Sequence, residues 1–166
     1  MAQNFVQDGV TLQAAVASGV TKIYTGTPIY LSAGGVGAAP AGNATGIDGI
    51  SMNTCSATAD AANYITTTCV YQTQGVFEFA VASGVTFILG DDVFIAAVDN
   101  TTAAVAGEQE GARTTVNNRG AAAGSDVGIG KCVALGSTKG FGTTVGTAYI
   151  QCKIVTRANS NITDAT

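Results

Sequence analysis

A six-residue phrase stands twice in this chain: Val16-Ala17-Ser18-Gly19-Val20-Thr21 returns unchanged as Val81-Ala82-Ser83-Gly84-Val85-Thr86. The residues after each copy also correspond. An apolar pair (Ile23-Tyr24, then Ile88-Leu89) leads through a polar turn (Thr25-Gly26-Thr27, then Gly90-Asp91-Asp92) to a second apolar run (Ile29-Tyr30-Leu31, then Phe94-Ile95-Ala96). Each copy then enters a long loop-like stretch, residues 33–46 and 107–126. Each stretch ends at a Gly- and Ile-rich strand signal, Gly46-Ile47-Asp48-Gly49-Ile50 and Gly128-Ile129-Gly130. A repeat restricts the fold strongly, because both copies must suit one supersecondary unit. The shared order of parts predicts two related β-units, about residues 16–80 and 81–156, within one domain.

The local pattern agrees with β-structure. β-Branched and aromatic residues alternate with polar ones, and Gly or Asp clusters punctuate the runs. Strands are expected near 10–16, 20–24, 28–31, 47–52, 64–71, 74–81, 86–89, 92–98, 127–135 and 147–156. The clearest is the last, where Ala148, Ile150, Cys152 and Ile154 alternate with Tyr149, Gln151 and Lys153 as in a half-buried antiparallel strand. No stretch has the pattern of a long amphipathic helix, and residues 57–63 and 101–106 offer one short turn or helix each. The expected fold class is therefore all-β: a compact antiparallel β-barrel or β-sandwich with two long Gly/Ala-rich loops. An extended N-terminal arm over 1–9, a single β domain over 10–157 and a flexible tail over 158–166 complete the reading.

Composition narrows the function. Only 11% of the residues are charged, against about 25% in a typical domain. Charge-poor surfaces rich in Thr, Ser and Asn suit a subunit covered by other protein, since charges are depleted at interface centres. The net charge of −4 and the scattered basic residues (Lys22, Arg113, Arg119, Lys131, Lys139, Lys153, Arg157) argue against a nucleic-acid partner, which calls for clustered Lys and Arg. Residues 1–5 lack the basic and apolar regions of a signal peptide, and no apolar run nears the ~20 residues that span a bilayer. Synthesis in a cytosol, with no membrane partner, is the expectation. The four cysteines (Cys55, Cys69, Cys132, Cys152) have no metal-ligand spacing and are expected to be reduced, as small core hydrophobes.

Histidine is absent, which removes the commonest general base, triad partner and metal ligand. Asp91-Asp92 sits between apolar runs, where Asp favours an ordinary turn over catalysis. Glu108 and Glu110 near Arg113 form a solvated charge cluster. Gly128-Ile129-Gly130-Lys131 lacks the full phosphate-loop pattern and runs on as strand. No catalytic residue, metal or cofactor is expected, and the chain does not look like an enzyme.

Several short motifs then stand in order: Ala2-Gln3-Asn4-Phe5-Val6-Gln7-Asp8-Gly9, Gln74-Gly75-Val76-Phe77-Glu78-Phe79, Leu89-Gly90-Asp91-Asp92-Val93-Phe94 and Val127-Gly128-Ile129-Gly130. This series resembles the small capsid cement, or head decoration, proteins of tailed bacteriophages. The resemblance covers residues 2 to about 156, with the 33–46 and 101–126 segments as apparent insertions. It implies a non-enzymatic β-subunit made in the host cytoplasm and bound to the outer surface of an expanded icosahedral head. The implied partners are the major capsid protein and the chain itself, a homotrimer being favoured over a homodimer. In the arm, Gln3, Phe5 and Gln7 fall on one side of an extended segment, with Asn4 and Val6 on the other. Ala2, Gln3, Asn4, Phe5, Val6 and Gln7 are accordingly the candidate capsid-binding residues, adding a strand to a capsid sheet edge. A tail-tube or other virion β-protein is the alternative, and a polysaccharide hydrolase with paired carboxylates a distant third.

Overall fold

The computed structural model describes residues 10–20, 22–38, 46–98, 114–123, 126–135 and 149–157. Among these, ten strands carry the fold: β1 (Thr11–Ala15), β2 (Pro28–Ser32), β3 (Gly35–Ala38), β4 (Gly49–Ser51), β5 (Thr68–Gln72), β6 (Val76–Val81), β7 (Asp92–Val98), β8 (Thr114–Asn118), β9 (Gly128–Leu135) and β10 (Tyr149–Ile154). The chain is all-β, as its alternation requires, and the helical piece among the described residues is one 3-10 turn, Ala61–Asn63. On β10, Ile150, Cys152 and Ile154 are buried while Gln151 and Lys153 face out.

The first five strands form a sheet in the order β1-β5-β4-β2-β3, and the last five a closed barrel in the order β10-β6-β8-β7-β9. These are one topology written twice. In each half the first strand pairs antiparallel with the fifth, the fifth with the fourth, the fourth with the second and the second with the third. The third strand then returns parallel to the first. In the barrel, β8 meets β6 at Ala80↔Thr115 and Val81↔Val116, whereas β3 reaches β1 through the single bridge Val16↔Val36. Register is shared as well. Leu12 faces Tyr71 and Ala14 faces Cys69, and at the same distances ahead of the second phrase Phe77 faces Cys152 and Phe79 faces Ile150.

The repeated phrase is the turn that makes this closure. Val20 N–H donates to the Ala17 carbonyl and Val85 N–H to the Ala82 carbonyl, both at 3.2 Å. Gly19 and Gly84 hold φ of +87° and +78°, the value at the third residue of a type II turn. Ala17 N–H then donates to Val36 C=O at 2.9 Å and Ala82 N–H to Val116 C=O at 3.0 Å, aiming each first strand at its third.

Two apolar clusters fill the halves. Val16, Ile23, Ile29, Val36, Cys55, Cys69 and Tyr71 pack in the first. Phe79, Val93, Ile95, Val116, Ile129, Ile150 and Cys152 fill the barrel, and Ile47 and Ile50 of the first half join them. The join is tied by polar contacts too. Ile47 bridges Thr156, Arg157 N–H donates to Ile47 C=O at 2.7 Å, and the Arg157 guanidinium pairs with Asp48 and donates to Leu31 C=O at 2.9 Å.

Some sequence expectations are corrected. The strands expected at 20–24 and 86–89 do not form. Ile23 makes only an isolated bridge to Cys55, and Ile23 and Tyr24 are both buried, so the apolar pair reflects enclosure and not alternation. Ile88 N–H is held by the Asp91 carboxylate at 3.0 Å, which makes that stretch a turn. Conversely, the stretch expected as a linker at 33–46 contains β3, and that at 107–126 contains β8. In β3, Gly37 lies flat beneath Tyr30, whose ring a Cβ would meet at 2.7 Å, so the apparent low complexity is close packing. The strand expected from 64 starts at Thr68, because Asp60 and Ile65 exchange backbone hydrogen bonds and close a tight turn first. The barrel is also mixed and not purely antiparallel, through the β6–β8 pair.

Candidate interaction surfaces

The candidate capsid-binding residues Ala2, Gln3, Asn4, Phe5, Val6 and Gln7 lie outside the described residues, as do Glu108, Glu110 and Arg113. The strand that follows these residues in the chain, β1, is described. β1 ends the sheet order of the first half, and the bridge at Val16 is its one pairing on the side away from β5 among the described residues. Val10 and Leu12 are exposed there at 49% and 43%. In the barrel, Phe77 occupies the place of Leu12 and packs partly against the core. The first half therefore presents an apolar, incompletely paired edge where the second half is closed. Unpaired edges of this kind are templates for strand addition.

A second surface forms at the turn before β7. The Asp91 backbone pairs with Cys132, accepting from its N–H at 2.9 Å while Gly90 N–H donates to Cys132 C=O at 2.8 Å. This docks the Ile88-Leu89 turn beside β9, whose outward face carries Lys131, Val133 and Leu135. Ile88, Leu89 and Leu135 are each more than half exposed. Beside them Asp92 accepts from the Arg119 guanidinium at 3.0 Å and pairs with Lys131, and Arg119 lies 5.8 Å from the centre of the Phe94 ring. The hydrogen bond from Lys131, and then that from Arg119, hold the Asp92 carboxyl below the usual carboxylate range against its partial burial. The two adjacent aspartates thus do different structural work: Asp91 fixes the turn and Asp92 anchors a charge cluster. Exposed apolar residues rimmed by charges mark surfaces for protein contact.

Sequence reasoning missed Tyr64. The Asp60 carboxylate caps the 3-10 turn, accepting from Ala62 N–H at 3.1 Å and from Asn63, and the chain turns back at Tyr64 with φ +56°. A bulky residue rarely holds that conformation, and Tyr64 is 91% exposed. The Asp-x-x-Asn-Tyr spacing was the only signal, and without the backbone it does not distinguish a displayed ring from a buried one.

Among the described residues no group of three or more Cys, Asp or Glu could hold a metal ion, and no helix is long and apolar enough to cross a membrane. Gly128-Ile129-Gly130-Lys131 opens β9 as extended strand, so it makes no phosphate-binding turn. No protein-family model matches the chain, and neither a curated protein nor a solved structure does.

Proposed function

We propose that this chain is a capsid cement subunit of a tailed bacteriophage. It binds the outer surface of an expanded head at junctions between capsomers and stabilises the head against internal DNA pressure. The observation that carries the reading is the β1 edge, which among the described residues is bridged away from β5 only at Val16 and exposes Val10 and Leu12 a few residues after the candidate residues 2–7. An arm and edge of this kind suit β-augmentation with a partner's sheet, where main-chain hydrogen bonds give affinity and Phe5 adds apolar burial. The charge-poor composition and the motif series from Ala2-Gln3-Asn4-Phe5 to Val127-Gly128-Ile129-Gly130 support the same reading.

Selective binding to the expanded lattice stabilises that lattice by mass action, without any chemistry. A homotrimer or homodimer multiplies the effect, because one oligomer engages several capsid subunits. The test is co-sedimentation of the purified chain with emptied, expanded capsids. Saturable binding at a fixed copy number supports the cement role, and that number separates three-fold from two-fold placement. Absence of binding, with self-assembly into rings or tubes, overturns it in favour of a tail protein. Deleting residues 2–8 should abolish capsid binding while the remaining β-fold stays intact; undiminished binding by that variant removes the arm from the mechanism.

A further inference from the structure

The backbone of β1 has two sides, and its hydrogen bonds tell them apart. Thr73 N–H donates to Val10 C=O at 3.2 Å and Val16 N–H to Thr67 C=O at 2.9 Å, so Val10, Leu12, Ala14 and Val16 turn their N–H and C=O groups toward β5. Thr11, Gln13 and Ala15 turn theirs the other way. So does Ala17, whose N–H meets Val36 C=O. Gly35 covers this outer side at Ala15, where a Cβ on Gly35 would lie 2.7 Å from the Ala15 oxygen. Thr11 and Gln13 are exposed, and their outward N–H and C=O groups have no partner among the described residues. The uncovered stretch is therefore residues 10–14, with Leu12 at its middle.

Unpaired edges in natural proteins are ordinarily blunted by charge, proline or a bulge. None of these is present here. No charged residue and no proline stands between Asp8 and Lys22, and the β1–β5 register runs unbroken from Thr11↔Gln72 to Ala15↔Thr68. A charge-free edge also raises no repulsion when the same strand is laid against itself.

We propose that this edge pairs with β1 of a second copy, antiparallel about a two-fold axis at Leu12. In that register Leu12 meets Leu12 of the second copy, Thr11 meets Gln13, and Val10 meets Ala14. Thr11 and Gln13 exchange both N–H···O=C bonds on each side of the axis, which satisfies the outward groups of the uncovered stretch. The Leu12 pair is of the non-hydrogen-bonded kind, with Cα atoms ~4.5 Å apart and side chains in contact. Ala14 already packs against the first apolar cluster, so Val10, Leu12 and Ala14 of the two copies join one apolar strip on that face. Centring the pair on Gln13 instead would need the Ala15 carbonyl, which Gly35 covers. A two-fold seam is complete with two copies, which selects a homodimer over a homotrimer. As the self-association of a cement subunit this rests on the proposed function, while its geometry stands on the edge alone. It uses nothing before Val10 and leaves residues 2–7 to the capsid.

The experiment is sedimentation velocity of the full-length chain over a concentration series, with capsid co-sedimentation on the same samples. The wild type is expected to reach twice its chain mass of 16.4 kDa. Gln13→Pro removes an outward N–H that β5 does not use, and Leu12→Lys sets two ammonium groups face to face. Each is expected to sediment as a monomer with an unchanged far-UV spectrum. Leu12→Cys is expected to form an intermolecular disulfide on mild oxidation, because Cα atoms ~4.5 Å apart suit one and the four native cysteines are buried. A wild type monomeric at every concentration, a trimer, or an assembly indifferent to Leu12→Lys and unlinked in Leu12→Cys would overturn the seam. Capsid binding by a monomeric wild type would do so while sparing the cement role, and a dimer that binds no capsid would do the reverse.

Discussion

The two copies of the phrase allow a matched perturbation. Gly19 and Gly84 hold φ of +87° and +78°, and a Cβ at either position meets nothing within 4 Å. Replacing each by alanine therefore adds no clash and isolates the backbone term. An L-residue in the left-handed region costs about 1–2 kcal/mol. Alanine also restricts the unfolded chain, which returns about 0.4–1 kcal/mol. The net expectation is a loss of about 0.5–1.5 kcal/mol for Gly19→Ala and a closely similar loss for Gly84→Ala. The turns share no hydrogen-bond partner, since Ala17 docks on Val36 and Ala82 on Val116, so the double variant should show the sum within about 0.5 kcal/mol. Urea unfolding reads these values directly, and each should lower Tm by about 2–4 °C per kcal/mol in a chain of this size. Unequal losses, one near zero and the other above about 3 kcal/mol, would refute the claim that the two turns are equivalent.

Three further outcomes are expected. Phe79→Ala, deep in the barrel, should cost about 3–5 kcal/mol in urea unfolding, whereas Leu12→Ala, on the exposed first strand of the other half, should cost about 1 kcal/mol or less. Asp92 has a lowered folded-state pKa, so its contribution is complete above the unfolded value of about 4 and is lost as pH falls through the lower folded value; Asp92→Asn should flatten the acid limb of a Tm-against-pH curve in that window. Tyr64→Gly should leave stability unchanged or raise it by up to about 1 kcal/mol, because glycine accepts φ +56° without strain. A clear loss in thermal melting would mean that the ring packs on something in the folded chain.

Much of the fold was legible, and the misreadings are informative because they recur with the repeat. β7 falls on residues 92–98 as alternation indicated, and β2, β6, β9 and β10 fall within about two residues of expectation. Both false strands, at 20–24 and 86–89, come immediately after the phrase. There the apolar residues succeed a turn and are fixed by single bridges or by the Asp91 carboxylate, so apolar content did not report a ladder. Both overlooked strands, β3 and β8, are the third of their half. Gly35-Val36-Gly37-Ala38 reads as linker because Gly37 serves close approach to Tyr30, a packing contact that local composition does not encode. For the interaction surfaces, the turn role of Asp91 was legible from its neighbours. The ion pairs of Asp92 were not, since Lys131 and Arg119 arrive from β9 and from the turn after β8.

One physical difference separates the halves and bears on what each is for. With the same pairings and the same turn, the second half places Phe77, Phe79 and Val81 along its first strand and closes, while the first places Leu12 and Ala14 there, with Val16 just beyond, and among the described residues meets β3 at one bridge. The smaller side chains leave less apolar area to bury, so closure gains less on that side. Ile47 and Ile50 of the first half pack into the barrel core, while Val10 and Leu12 are exposed on and just before β1. An edge bridged only at Val16 among the described residues is unfavourable in an isolated subunit, because it invites unwanted pairing. It becomes useful when a partner's strand occupies it. Under the proposed cement role the halves divide the labour: the barrel supplies the stable body, and the β1 edge of the first half supplies the contact.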